Sequence, residues 1–172
     1  MFIKILGNIM SKPMEKMMDE YFCKKQCCYW SEYPESYGRL NVEGKTVTLV
    51  GADCGSTFLY LILRGAKKLI GYEKEERLRK EWEKVCQEFN ICSFAEMRGE
   101  WKGEYDNTDI FLMDCEGCEE SLDFTKLYKY KAWCIAVHEW TKNRTFLMKN
   151  LQGSTLTFIT DDGKELMFCK GV

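Results

Sequence analysis

From about residue 44 onward, short runs of β-branched and apolar residues alternate with segments whose apolar positions recur at helical spacing. The run 46–50 (TVTLV) ends in a glycine-bounded turn, Gly51-Ala52-Asp53-Cys54-Gly55. Ser56 then offers an N-cap to an apolar helix over 57–64, with Gly65 placed to end it. A second strand over 68–72 leads into Glu73, and a charged helix follows from about 75 to 89. Its apolar positions, Leu78, Trp82, Val85, Cys86 and Phe89, fall on one face. A short strand is predicted near 91–95, followed by a polar loop rich in Gly and Trp. The runs 109–113 (DIFLM) and 133–137 (WCIAV) are continuously apolar, as strands covered on both faces are. A helix over about 143–151 stops before Gly153, and two β runs about Asp161-Asp162-Gly163 read as a hairpin.

This alternation predicts an α/β, doubly wound Rossmann-like sandwich: a mostly parallel sheet between helices, with an antiparallel C-terminal hairpin. Residues 44–172 are read as that domain, and residues 1–43 as an N-terminal helical extension packed on it. Ser11 and Pro13 mark a helix start, and Met14, Met17, Met18, Tyr21 and Phe22 then form one apolar stripe. An alternative for that stripe is a Met-rich surface for a partner or an apolar substrate. Tyr29, Trp30, Tyr33 and Tyr37 follow in an aromatic stretch that either lines a pocket or plugs an edge. A length of 172 residues suits one such domain. No apolar run approaches the roughly 18 residues of a spanning helix. The opening MFIKILGNIM lacks a cleavage site, so a cytoplasmic protein is expected. With 25 basic and 27 acidic residues, the net charge of −2 offers no broad electrostatic grip on nucleic acid. Ten cysteines, dispersed through apolar segments, are read mostly as reduced, buried fillers. One or two internal bridges stay open, because intracellular proteins of hyperthermophiles can be disulfide-rich.

Ligands of an open parallel sheet bind beyond the carboxyl ends of its strands, where Gly51–Gly55 falls. The spacing is G-x-x-x-G rather than G-x-G-x-x-G, which argues against a pyrophosphate-bearing dinucleotide. Glu73, about 20 residues further on, stands where such folds accept hydrogen bonds from ribose hydroxyls. A ribose-bearing cofactor without pyrophosphate suits both features, while a tight turn followed by a solvated acid is the bland alternative. The segment 108–120 ends an apolar run in Asp114, with Glu116, Gly117 and Glu119 close behind. Carboxylates at a strand tip suit substrate positioning, metal ligation or proton acceptance, and a helix cap favoured by the dipole is the competing reading. His138 is the only histidine and lies just past the fifth strand. There a neutral imidazole can accept a proton during group transfer, or can simply be bonded within a loop; Glu139 is a weaker companion. Cys115-x-x-Cys118 invites a redox or zinc reading, but Cys23, Cys27 and Cys28 complete no common finger. The acidic turn would also raise the thiol pKa. No residue is assigned to a metal.

Taken together, GADCGSTFLYLILRGAKKLIGYEKE resembles motifs I to II of class I S-adenosylmethionine (SAM)-dependent methyltransferases. DIFLMDCEGCEE resembles the Asp-x-Glu-Gly-x-Glu signature of their FkbM-like branch. The resemblance spans roughly residues 44–140 and implies SAM as the cofactor. Gly51, Ala52, Asp53 and Gly55 would line its methionine part, and Glu73 would hold the ribose hydroxyls. Glu96, after the third strand, and Met97 would neighbour the adenine. Asp114 would sit beside the transferred methyl. It further implies Asp114 and His138 as groups that orient or deprotonate an oxygen or nitrogen acceptor, small-molecule or macromolecular. One position departs: Leu49 stands where the family carries an acid, two residues before the first glycine. Two other classes stay open, a non-catalytic ligand- or partner-binding module on this fold and a cysteine-based metal or redox protein.

Overall fold

In the computed structural model, which describes Asp19, Tyr21, Phe22 and residues 32–172, the alternation becomes a seven-stranded sheet. Its strands are β1 (Thr46–Val50), β2 (Lys68–Tyr72), β3 (Ala95–Arg98), β4 (Ile110–Met113), β5 (Ala132–His138), β6 (Thr155–Ile159) and β7 (Glu165–Lys170). Their order is β3-β2-β1-β4-β5-β7-β6. Strands β1 to β5 run parallel, β7 lies antiparallel to β5, and β6 antiparallel to β7. The order reverses direction between β1 and β4, and that switch point opens a crevice beyond the strand ends.

The apolar runs form strands here because both faces of the sheet are covered. Val47, Leu49, Cys134 and Ala136 point into one core, with Phe58, Leu61, Trp82 and Val85. Their chain neighbours Val50, Trp133, Ile135 and Val137 point into the other, with Phe111, Met113 and Leu147. This period of two is what separates the two layers. The first core is covered by α1 (Ser56–Leu63) and α2 (Glu76–Glu88). The second is covered by the single turn α3 (Phe124–Leu127) and by α4 (Arg144–Asn150). Phe22, Tyr33, Tyr37, Leu40 and Val42 join the first core, and Tyr21 meets Phe89 edge-on at 5.2 Å. The helix start at Ser11 and Pro13, the stripe residues Met14, Met17 and Met18, and Tyr29 and Trp30 lie outside the described residues. No helix among the described residues is long and apolar enough to cross a membrane.

Two expectations change. The first is the third strand, which begins at Ala95 instead of ending there. Cys86 and Cys92 are joined, Ile91 N donates to the Cys86 carbonyl, and Asn90 adopts a φ of 54°. These features fold residues 90–94 back on the end of α2, so they are not available to extend the sheet. The second concerns the cysteines. Bridges join Cys86–Cys92, Cys115–Cys118 and Cys134–Cys169, and no described cysteine is a free thiol. The antiparallel pairing sets Cys134 directly opposite Cys169, a relation that their separation of 35 residues hides in the sequence. Closing a loop the size of Cys86–Cys92 is worth about 2 kcal/mol through the unfolded chain. The double variant Cys86→Ala/Cys92→Ala is therefore expected to melt roughly 5 °C lower. An unchanged melting temperature in a scanning calorimeter would mean that this bridge adds nothing.

Candidate active site

The chain reverses sharply after β1 because Gly51 and Gly55 take φ of 83° and 92°, and Asp53 also lies in the left-handed region at 45°. Gly51 is needed for a second reason. A Cβ built on it would lie 1.7 Å from the Asp114 carbonyl oxygen, so the ends of β1 and β4 touch through bare backbone. The amides of Gly51 and Ala52 both donate to the Tyr72 carbonyl, and Asp114 N donates to that of Val50. Three strand ends are thereby fixed at the switch point.

Sequence reasoning gave Ser56 the capping role, but the helix begins at Ser56 itself, its N-cap position is Gly55, and the Asp53 side chain takes up the free donors there. Asp53 Oδ1 accepts from Gly55 N (2.7 Å) and Ser56 N (3.2 Å), and Oδ2 accepts from Ser56 Oγ (2.7 Å). Burial pushes its carboxyl up to about 6 despite these bonds. Glu73, buried at the end of β2, accepts from Asp53 N at Oε2 (3.0 Å) and from Glu75 N at Oε1 (2.9 Å). The glycine turn and Glu73 are thus a single hydrogen-bonded unit. Leu49 is fully buried inside β1.

Glu96 and Met97 are placed differently from the expectation. They lie within β3, not beyond it, with Glu96 level with Ile70 of β2. Glu96 is exposed and held by Arg98 Nε at 2.8 Å, while Met97 packs against the first core. The shifted strand start is the cause.

Beyond β4, Asp114 and the residues that follow meet the end of β5. His138 is 1% exposed, and its Nδ1 lies 2.9 Å from Oε1 of the fully buried Glu119. That oxygen also accepts from Thr141 Oγ1, and Oε2 accepts from Gly117 N. Burial alone would raise the Glu119 carboxyl; bonds from His138 and Thr141 outweigh it and hold it at about 2. The other imidazole nitrogen, Nε2, has no hydrogen-bond partner among the described residues. It faces Asp114 Oδ1 at 3.4 Å, Glu116 Oε2 at 3.8 Å and Glu165 Oε2 at 3.9 Å. Burial opposes a charge on His138, yet Asp114 and Glu119 raise its pKa to about 10. The neutral proton acceptor expected from the sequence is therefore not what the surroundings produce: His138 carries its proton at neutral pH. Trp140 stacks on the ring at 4.9 Å between centroids and is half exposed.

Three participants escaped the sequence reading. Glu165 opens β7 and pairs in register with His138; burial and the charge of Asp114 push its carboxyl up to about 8. Glu32 is raised to about 7 by burial, with Asp114 and Glu116 adding to it. Tyr37, named only as part of an aromatic stretch, donates from its hydroxyl to Asp114 Oδ2 at 3.3 Å. An acid at the head of the apolar run ELMFCK was the one local signal for Glu165. A cavity of about 290 Å³ between Asp106 and Tyr130 includes none of these residues.

No protein-family model matches the chain. Two proteins of Sulfolobus viruses match it over nearly their whole lengths. Uncharacterized protein 65 of Sulfolobus islandicus filamentous virus (isolate Iceland/Hveragerdi) is 57% identical over 151 residues, 88% of this chain and 96% of its own. Uncharacterized protein 158B of Sulfolobus islandicus rod-shaped virus 1 is 58% identical over 154 residues, 88% and 98% respectively. Among solved structures, a dimethyladenosine transferase from Plasmodium falciparum superposes with a TM-score of 0.60 at 15% identity, covering 74% of this chain and 56% of that one. Methyltransferase FkbM from Methylobacillus flagellatus gives 0.58 at 12%, over 73% and 43%. Aeropyrum pernix fibrillarin, solved with natively bound S-adenosyl-L-methionine, gives 0.55 at 16%, over 76% and 68%. The chain spans little more than half of the transferase. These neighbours are class I SAM-dependent methyltransferases of several families, and at such identities they establish a shared fold.

Proposed function

We propose that this chain, which belongs to the same family as the two Sulfolobus virus proteins, is a SAM-dependent methyltransferase acting on an oxygen or nitrogen acceptor. The observation that carries the reading is the convergence of the glycine turn, Glu73 and Asp114 on the switch point of a sheet of this topology. The donor set suits the cofactor. Each Glu73 oxygen accepts one amide and keeps a second lone pair, as a pair of ribose hydroxyls requires. Gly51, Ala52, Asp53 and Gly55 would hold the methionine part, with Asp114 beside the methyl. Glu96 and Met97, kept inside β3, would border the adenine only from the side of the strand.

SAM supplies an electrophilic methyl group when bound; the chain's work is orientation and exclusion of water. Asp114 would orient the acceptor and take its proton. His138, charged and buried, would position the Asp114 carboxylate and is not itself the base. Tyr37 would fix the other Asp114 oxygen. The FkbM-like branch is the finer reading, supported by Asp114-x-Glu116-Gly117-x-Glu119 folding as one turn over His138. We also propose that residues 1–43 form an extension on the domain 44–172, because Phe22, Tyr33 and Tyr37 are buried in its core. A cytoplasmic site of action goes with this reading.

Calorimetric titration with SAM and with its demethylated product tests the proposal. Binding in the micromolar range is expected for both. A folded sample that binds neither would remove the methyltransferase reading. SAM binding with no methyl transfer to any acceptor screened would favour a binding module on the same fold.

A further inference from the structure

We propose that Asp114, Glu116 and His138, joined by Glu165, form a binding site for one divalent cation of the Mn²⁺ type. The donor atoms of the first three all lie within 4.8 Å of one another. With Glu165, the four come from three separate places in the fold: the turn after β4, the end of β5 and the start of β7. Two donors each about 2.1 Å from an ion stand roughly 3.0 Å apart at a right angle and about 4.2 Å apart when opposed. The separations of 3.4, 3.8 and 3.9 Å from Nε2 to the three carboxylates fall inside that span.

Acidic clusters are common, so the decisive feature is the imidazole. His138 is 1% exposed, and its Nε2 faces the carboxylates with no hydrogen-bond partner among the described residues. A buried nitrogen in that condition is costly unless something engages it. Its ring is held from behind: Glu119 Oε1 accepts from Nδ1 at 2.9 Å and is itself bonded to Thr141 and to the His138 amide. An ion bound there would displace the proton from Nε2, while the carboxylate behind the ring keeps Nδ1 protonated, so Nε2 is the donor atom. Among the described residues Glu165 Oε1 is likewise buried with no partner, and its Oε2 lies 3.9 Å from Nε2, so this carboxylate has unused bonding capacity beside the ring. Three carboxylate oxygens with one imidazole make a mostly hard donor set, which suits Mn²⁺ better than a thiolate-seeking ion.

The cation site stands on this geometry alone. Its use rests on the methyltransferase reading: with Asp114 beside the methyl, the ion's remaining positions would face the acceptor. An acceptor carrying two adjacent oxygens would fit them.

His138 is the only histidine, which makes the test direct in tag-free protein. Mn²⁺ alone is titrated in, free Mn²⁺ is read by electron paramagnetic resonance, and the imidazole is followed by ¹⁵N NMR. One bound Mn²⁺ per chain is expected, with the imidazole signals broadened away at stoichiometry. Glu116→Gln, at a largely exposed side chain, should weaken Mn²⁺ binding by about tenfold or more. No bound Mn²⁺ at millimolar concentration, or bound Mn²⁺ that leaves the imidazole signals sharp, overturns the proposal. The parallel SAM titration separates the two ideas. Mn²⁺ binding without SAM binding keeps the cation site and loses the methyltransferase; SAM binding without Mn²⁺ does the reverse.

Discussion

Replacing Gly51 with alanine is expected to cost roughly 4 kcal/mol of stability and to lower the melting temperature by about 10 °C. The added methyl faces two separate obstacles. A φ of 83° costs an alanine about 1–2 kcal/mol wherever it occurs. The larger obstacle is the Asp114 carbonyl oxygen, 1.7 Å from where the Cβ would stand. Backbone cannot rotate away as a side chain does. Relief requires β1 and β4 to part at their ends, which breaks the bond from Asp114 N to the Val50 carbonyl. Gly44→Ala is the control, because Gly44 shares a positive φ of 68° and has no atom of the described residues within 4 Å of its Cβ position. That variant should lose only the conformational part, about 1 kcal/mol. Equal losses in the two proteins would show that close approach at the switch point is unimportant.

Glu73→Ala should abolish measurable SAM binding, a loss of a hundredfold or more. Each hydrogen bond to a charged carboxylate is worth about 1.5–3 kcal/mol, and two ribose hydroxyls would be released together. The same substitution strips acceptors from the amides of Asp53 and Glu75, so the glycine turn loosens as well. Glu73→Gln separates these effects. Its single oxygen can serve one amide while its NH₂ opposes the other, so part of the anchoring survives. The expected order of affinity is wild type, Gln, then Ala, with far-ultraviolet circular dichroism unchanged in all three. Alanine that binds SAM as wild type does would remove Glu73 from the cofactor site.

How much of this was legible in the sequence depends on how local each cause is. Strands β1, β2 and β4 and the turn after β1 were readable, because continuous apolar runs and glycines act within a few residues. Asp114 and His138 could be placed on one rim for the same reason: each ends an apolar run. The start of β3 was not readable, since it is set by the Cys86–Cys92 bridge and the left-handed Asn90. Nor does the sequence reveal that His138 is charged. That follows from Asp114 and from Glu119, 19 residues away in the chain, while Glu165 faces the ring only through the antiparallel register of β5 and β7. The Cys134–Cys169 pair has the same origin. Long-range register was the recurring blind spot, and the candidate site lies where register matters most.

The place of β7 in the sheet also bears on when the site can exist. β7 is the last strand in chain order, yet it sits between β5 and β6 and not at an edge. As the chain emerges during synthesis, β1 to β5 can pair in succession and leave β5 as an open apolar edge. Nothing covers that edge until residues 165–170 have emerged and slotted in. Glu165 reaches His138 in the same event, and Cys134 meets Cys169. A nascent chain halted before β7 would therefore carry a complete glycine turn and Glu73, an exposed strand prone to association, and a histidine facing only part of its carboxylates.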